Sequence, residues 1–149
     1  MMYPTPDYPQ AVAQLVGSPT APTLSGTIRF LQMPQGVLVT AHVSGLPRDN
    51  KHGFFALHIH EGGSCTGDGF PNTASHYNPT GAPHPGHAGD LPPLLSNGGE
   101  AYLSVLTDRF RLTNIVGRTV VIHSGPDDFY SQPAGNAGSK IACAVIQKL

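Results

Sequence analysis

His58 and His60 stand two residues apart inside the stretch FALHIHEGGSC, residues 55–65. Residues i and i+2 of a strand point to one face, so the two imidazoles can converge on one ion while Leu57 and Ile59 turn to the core. Taken alone, the pair is also what the wet face of a surface strand would carry. A denser cluster follows in SHYNPTGAPHPGHAGDLP, residues 75–92, where His76, His84, His87 and Asp90 fall within fifteen residues. Three imidazole nitrogens and one carboxylate oxygen form a donor set that zinc accepts in a tetrahedral site. The intervening prolines and glycines let a loop curl and aim several side chains inward. A solvated polar loop with incidental histidines is the competing reading. His123 closes the apolar stretch GRTVVIH and by itself reads as an ordinary strand-end histidine.

Short strand-like stretches punctuated by turn residues must position these groups. They are residues 11–17, 24–32, 36–46, 54–61, 99–106, 115–123 and 140–149, and none carries a sustained helical period. Seven or eight such strands with one-sided apolar patterns predict an all-β antiparallel sandwich or flattened barrel. Residues 62–98 and 124–139 break the rhythm and are rich in Gly, Pro, Ser and Asn. Loops beyond about 12–15 residues are usually functional or disordered, and the histidines and aspartates in the first favour function.

Composition bounds the rest. A chain of 149 residues with 18 Gly and 15 Pro fits one β-rich domain, over 11–149, behind an extended Pro-rich tail over 1–10. The net charge of −1 gives no electrostatic case for nucleic acid or a membrane surface. No apolar run approaches the roughly 18 residues of a membrane span. No signal-peptide pattern is visible, which leaves the cytoplasm or a processed secreted or envelope form. Cys65 and Cys143 lack CxxC spacing and are either two buried free thiols or one long-range disulfide.

Together the motifs resemble the copper/zinc superoxide dismutases, in a bacterial-like form. The likeness runs from about residue 11 to the end, through HGFFALHIHEGGSC, SHYNP, HAGDLP, VGRTVVIH and GNAGSKIACAVI in that order. It implies a Greek-key, immunoglobulin-like sandwich that converts superoxide to oxygen and hydrogen peroxide by a Cu(II)/Cu(I) cycle. Copper would be held by His58, His60, His76 and His123, and zinc by His76, His84, His87 and Asp90. His76 would be the shared ligand and carry a proton in catalysis. Asp127 would be the carboxylate linking a copper ligand to a zinc ligand, and Cys65 and Cys143 would form a disulfide. A homodimer and a copper-delivery partner are the partners the resemblance suggests. His42 and His52 fall outside this scheme and read as structural or surface residues.

Two departures from the family stand out. Lys140 occupies the position where the family usually carries an arginine beside copper. It keeps the positive charge but loses the planar fork of paired donors, which predicts lower activity. The loop 124–139 holds two acids and no base, which predicts weak electrostatic steering of an anion. A metal store or carrier of the same fold with little turnover is the alternative function. A structural sandwich with incidental histidines is a weaker one.

Overall fold

A computed structural model of the chain describes residues 9–149. It is built from β1 (Gln10–Gly17), β2 (Ser25–Met33), β3 (Gly36–Ser44), β4 (Phe54–Phe55), β5 (Leu57–His60), β6 (Leu94–Leu95), β7 (Ala101–Thr107), β8 (Thr119–His123), β9 (Lys140–Val145) and β10 (Gln147–Lys148). Among the described residues, one short helix, α1 (Leu112–Ile115), and one 3-10 turn, Pro71–Thr73, interrupt the strands. Except for its last two residues, the tail expected over 1–10 lies outside the described residues.

The main sheet is antiparallel and curls in the order β5-β8-β9-β1-β2-β3-β7, with β10 pairing β1 and a separate two-stranded pair β4-β6. β1, β2 and β3 form a meander. The chain then crosses to the far end of the order to place β5, returns for β7, and crosses again for β8. The crossing from β5 to β7 creates the loop 62–98, which carries His76, His84, His87 and Asp90, while the loop 124–139 joins the neighbouring strands β8 and β9. Alternation along β1 to β3 sends Ala11, Ala13, Leu15, Ile28, Phe30, Val37, Val39, Ala41 and Val43 inward, where all are buried. Leu57, Ile59, Val120, Ile122, Ala142 and Ala144 join the same core from the other end of the sheet.

Beyond shifts of one or two residues at strand ends, three of the expected stretches break. The stretch 54–61 splits at Ala56, whose N–H donates to Gly125 O (2.9 Å) while its carbonyl accepts from His123 N (2.9 Å). Residues 115–118 do not extend β8. Leu112 and Ile115 are buried by folding into a turn of helix, and the Asn114 side chain accepts the Arg111 N–H at 2.8 Å. The C-terminal stretch breaks at Ile146, which exchanges backbone bonds with Gly117 and Arg118 instead of pairing with a strand. Residues 62–98, expected to lack strands, contribute the two-residue β6.

Cys65 and Cys143 are joined in a disulfide with a Cα–Cα distance of 5.8 Å, closing 78 residues of sequence. It ties the start of the loop 62–98 to β9, the strand that pairs with β8.

Candidate metal centre

β5 and β8 pair with Leu57 opposite Ile122 and His58 opposite Val121. Leu57, Ile59, Val120 and Ile122 therefore take one face, and His58, His60, Val121 and His123 the other. The first face is core, as expected. The second is buried as well, because the loop 62–98 lies over it. That loop runs along the free edge of β5 like a broken strand: Tyr77 N donates to Ile59 O, Ile59 N to Gly89 O, and Gly89 N to Tyr77 O, at 2.8–2.9 Å. Isolated bridges set His60 beside His76 and His58 beside Asp90. The edge of the sheet thus acts as the ruler that places the loop's ligands against the strand's ligands. Arg118 braces the arrangement, stacking 4.3 Å over the Tyr77 ring and donating to Glu61 O at 2.9 Å.

A β-bulge completes the metal-side face. Ile122 pairs with Ala142, but His123 pairs with Lys140, so Ile141 is the extra residue. Bulges re-aim side chains. Ile141 and Ala142 both pack into the core, and Lys140 is delivered opposite His123 on the side of the histidines. Without the bulge, alternation would carry Lys140 to the core side with Ala142 and Ala144.

The histidines divide by where their nitrogens point. His58 Nε2–H donates to Asp127 Oδ2 (2.8 Å), His60 Nδ1–H to Ala74 O (2.9 Å) and His123 Nδ1–H to Gly138 O (3.3 Å). Each ring is thereby left with one bare nitrogen. His60 Nε2 and His123 Nε2 face one another at 3.3 Å, and His58 Nδ1 and His76 Nε2 are buried with no partner at all. The ligand atoms of His58, His60, His76 and His123 all lie within 4.8 Å of one another.

On the other side, His76 Nδ1 lies 2.9 Å from Asp90 Oδ1 and 3.1 Å from His87 Nδ1. Asp90 Oδ2 is 3.0 Å from His84 Nδ1 and 3.2 Å from His87 Nδ1. His84 Nδ1 is nonetheless buried without a well-aligned hydrogen bond. His84 Nε2–H donates to Asp127 Oδ1 at 2.7 Å, so one carboxylate holds His58 and His84 together.

Burial sets the charge of the cluster. Desolvation pushes the His60 pKa down to about 2 and that of His123 to about 3, and it lowers His58 and His87 too. Burial also opposes ionisation of Asp127, but hydrogen bonds from His58, His84 and the Phe129 N–H outweigh it and hold the carboxyl below its usual range. Asp90 is lowered likewise, chiefly by His76. Neutral imidazoles and ionised carboxylates are the protonation states in which these groups bind metal.

These contacts fit two cations. Zinc bound tetrahedrally at about 2.0–2.1 Å requires donor–donor edges of about 3.3 Å. The edges around His76 Nδ1, His84 Nδ1, His87 Nδ1 and Asp90 are 2.9–3.2 Å where they touch. Paired lone pairs and three orphaned buried nitrogens are what a hydrogen-bonding protein avoids and a metal satisfies. All seven expected ligands are brought together. His42 and His52 are not: His42 packs edge-on against Tyr102, 5.2 Å away, and His52 is exposed.

The family profile described as copper/zinc superoxide dismutase matches residues 24–146. This chain belongs to that family. It is 37% identical over 139 residues to the Cu-Zn superoxide dismutase of Paramecium bursaria Chlorella virus 1, spanning 83% of this chain and 72% of that one. It is 35% identical over 153 residues to Cu-Zn superoxide dismutase 2 of Aquifex aeolicus, spanning 93% and 86%. The Legionella pneumophila Cu-Zn superoxide dismutase is 35% identical over 136 residues, 85% and 80% of the two chains. Among solved structures, a double mutant of a SOD-like protein from Bacillus subtilis superposes with a TM-score of 0.77 at 27% identity, over 91% of this chain and 96% of that one. Copper and zinc are the metals of this family.

The environment of Lys140 is not visible in sequence. Its Nζ donates to Thr73 Oγ1 at 2.7 Å, Ala74 O at 3.2 Å and Phe70 O at 3.4 Å. An ammonium has three N–H donors, and all three are engaged. Burial lowers its pKa from the ordinary lysine value. Lys140 lines an open cavity of about 510 Å³ with His60, His76, His123 and Gly138, and Glu61 stands on the same wall. The two acids of the loop 124–139 are structural. Asp127 is buried between histidines, and Asp128 accepts from Tyr130 N, Ser131 N and the Ser131 hydroxyl.

Proposed function

We propose that the protein is a superoxide dismutase in which His58 Nδ1, His60 Nε2, His76 Nε2 and His123 Nε2 hold copper. His76, His84 and His87, through Nδ1, and Asp90 hold zinc. The observation that carries this reading is His76. It is the one ring of the six with both nitrogens aimed into ligand clusters, Nε2 buried without a partner and Nδ1 against Asp90 and His87. No backbone carbonyl claims either nitrogen, in contrast to His60 and His123.

When bound, copper supplies the one-electron redox capacity that takes two superoxide ions and two protons to oxygen and hydrogen peroxide. The protein's own groups do the rest. Asp127 fixes the tautomers of His58 and His84, leaving Nδ1 bare on each. Burial keeps His60 and His123 neutral. His76 would be the ligand shared by both metals, and its Nε2, buried without a hydrogen-bond partner, would be the position able to carry a proton for the product. Lys140 presents a positive charge to the cavity that His60, His76 and His123 share. With its three donors committed to the 70–74 turn, it attracts an anion as a point charge instead of binding it by hydrogen bonds. Glu61 offsets part of that charge, so steering is weak.

The store-or-carrier alternative finds no support in a missing ligand, since every position is filled. Family likeness also supports a homodimer and a copper-delivery partner. Elution as a monomer at micromolar concentration would count against the first. The reading is tested by assaying superoxide removal by chain loaded with one copper and one zinc, against chain loaded with zinc alone. Turnover is expected only in the first. Its absence at full occupancy of both sites would overturn the enzyme assignment.

A further inference from the structure

The turn that carries His84 and His87 spans four residues, HPGH, and it is fastened by side chains that are not themselves ligands. Gln132, on the loop 124–139, meets both backbone groups of His84: its Oε1 accepts the His84 N–H at 2.8 Å and its Nε2 donates to His84 O at 2.7 Å. The contact spans 48 residues of sequence. A carboxamide offers a donor and an acceptor in one plane, so it can imitate a neighbouring strand against a single residue. On the opposite flank, Arg109 Nη1 donates to Pro85 O at 2.8 Å and to His87 O at 3.2 Å.

The same loop reaches His84 twice more. Asp127 holds its Nε2. Gly135 packs so closely that a Cβ there would stand 2.1 Å from Asp127 Oδ1 and 2.6 Å from His84 Nε2, at a φ of +73°. With its backbone held by Gln132 and its ring by Asp127, His84 has no freedom left to turn Nδ1 away from Asp90. We propose that Gln132 is a positioning residue for zinc, acting through the His84 backbone to hold His84 Nδ1 in place before the metal arrives, with Arg109 as its counterpart at His87.

The inference rests on the zinc assignment made above, and the experiment separates the two. Gln132 is exposed, so Gln132→Met, which keeps the length of the side chain and loses both bonds to His84 along with one from Nε2 to Tyr130 O (3.1 Å), leaves the core untouched. Zinc release into excess chelator is measured from disulfide-intact chain. Cobalt(II) substituted at the zinc position reports ligand geometry through its visible absorption. Two neutral hydrogen bonds lost predict release faster by roughly 30-fold. The cobalt bands should shift or weaken, a change that a general loss of stability would not produce. Arg109→Ala should accelerate release by roughly tenfold. Release within twofold of wild type and an identical cobalt spectrum for Gln132→Met would overturn the role of Gln132. A wild-type chain that takes up neither zinc nor cobalt would overturn the zinc assignment itself.

Discussion

Replacing Asp127 by Asn probes the link between the two metal sites, and the structure says which site suffers. Asp127 Oδ1 accepts from His84 Nε2 at 2.7 Å and from the Phe129 N–H at 2.8 Å, whereas Oδ2 accepts from His58 Nε2 alone at 2.8 Å. An asparagine has one acceptor oxygen. It settles where two donors converge, at the Oδ1 position, and its NH₂ is left facing the His58 N–H. The clash is relieved only if His58 moves its proton to Nδ1, the nitrogen that the copper cluster needs. Loss of such an outer hydrogen bond typically costs 10–100-fold in metal affinity, or about 1.4–2.7 kcal/mol. Asp127→Asn should therefore weaken copper by that factor and leave zinc within a few-fold, while Asp127→Ala weakens both. Competition against chelators of known affinity, run separately for each metal, measures this. Zinc weakened as much as copper in Asp127→Asn, or neither weakened, would refute the tautomer argument.

Other consequences follow from the same contacts. Lys140→Arg should raise the dismutation rate and its sensitivity to ionic strength, because a guanidinium can hold the 70–74 turn and keep a free donor for the anion. Stopped-flow decay of superoxide at several salt concentrations reads this, and an unchanged rate and salt slope would remove Lys140 from the account. Metal-free, disulfide-intact chain should lose stability as pH falls from about 6.5 toward about 3. The folded pKa values of His60 (about 2) and His123 (about 3) lie below the ordinary value, so the unfolded chain binds protons the folded one does not. Each contributes a slope of about 1.4 kcal/mol per pH unit in that window, measurable by denaturant titration. Reducing Cys65–Cys143 opens a 78-residue loop, for which chain entropy alone predicts a loss of about 4.5 kcal/mol in the same titration.

The candidate ligands were legible as a set only through the family resemblance, since His123 alone reads as a strand-end histidine, and what holds them was not legible. His58 and His60 declared themselves by strand spacing, and His76, His84, His87 and Asp90 by their density in a loop too rich in Pro and Gly to form a strand. The strand alternation that put Leu57 and Ile59 in the core followed from period two. It understated the other face, which expects water in a half-buried strand and is here covered by the loop pairing along β5. The bulge at Ile141 is invisible to pattern reading because KIACAV is regular, yet it decides that Lys140 lies on the side of the histidine cluster. Gln132, Thr73, Arg109 and Gly135 are common loop residues. Their roles arise where segments distant in sequence meet, as with Gln132 on His84 or Thr73 under Lys140. By sequence the loop 124–139 holds two acids and no base, which predicts weak steering of an anion. The structure gives each acid a positional role that sequence did not show: Asp127 is buried between His58 and His84, and Asp128 accepts from Tyr130 N and Ser131 N.

The division of the cluster into two metals sharing His76 is tested most directly by crystals of the loaded chain, with anomalous scattering recorded at the copper and zinc absorption edges. The account predicts two peaks. Copper should lie among His58 Nδ1, His60 Nε2, His76 Nε2 and His123 Nε2, and zinc among the Nδ1 atoms of His76, His84 and His87 with Asp90. A single metal position, or two metals with His76 bound to only one of them in the oxidised protein, would contradict it.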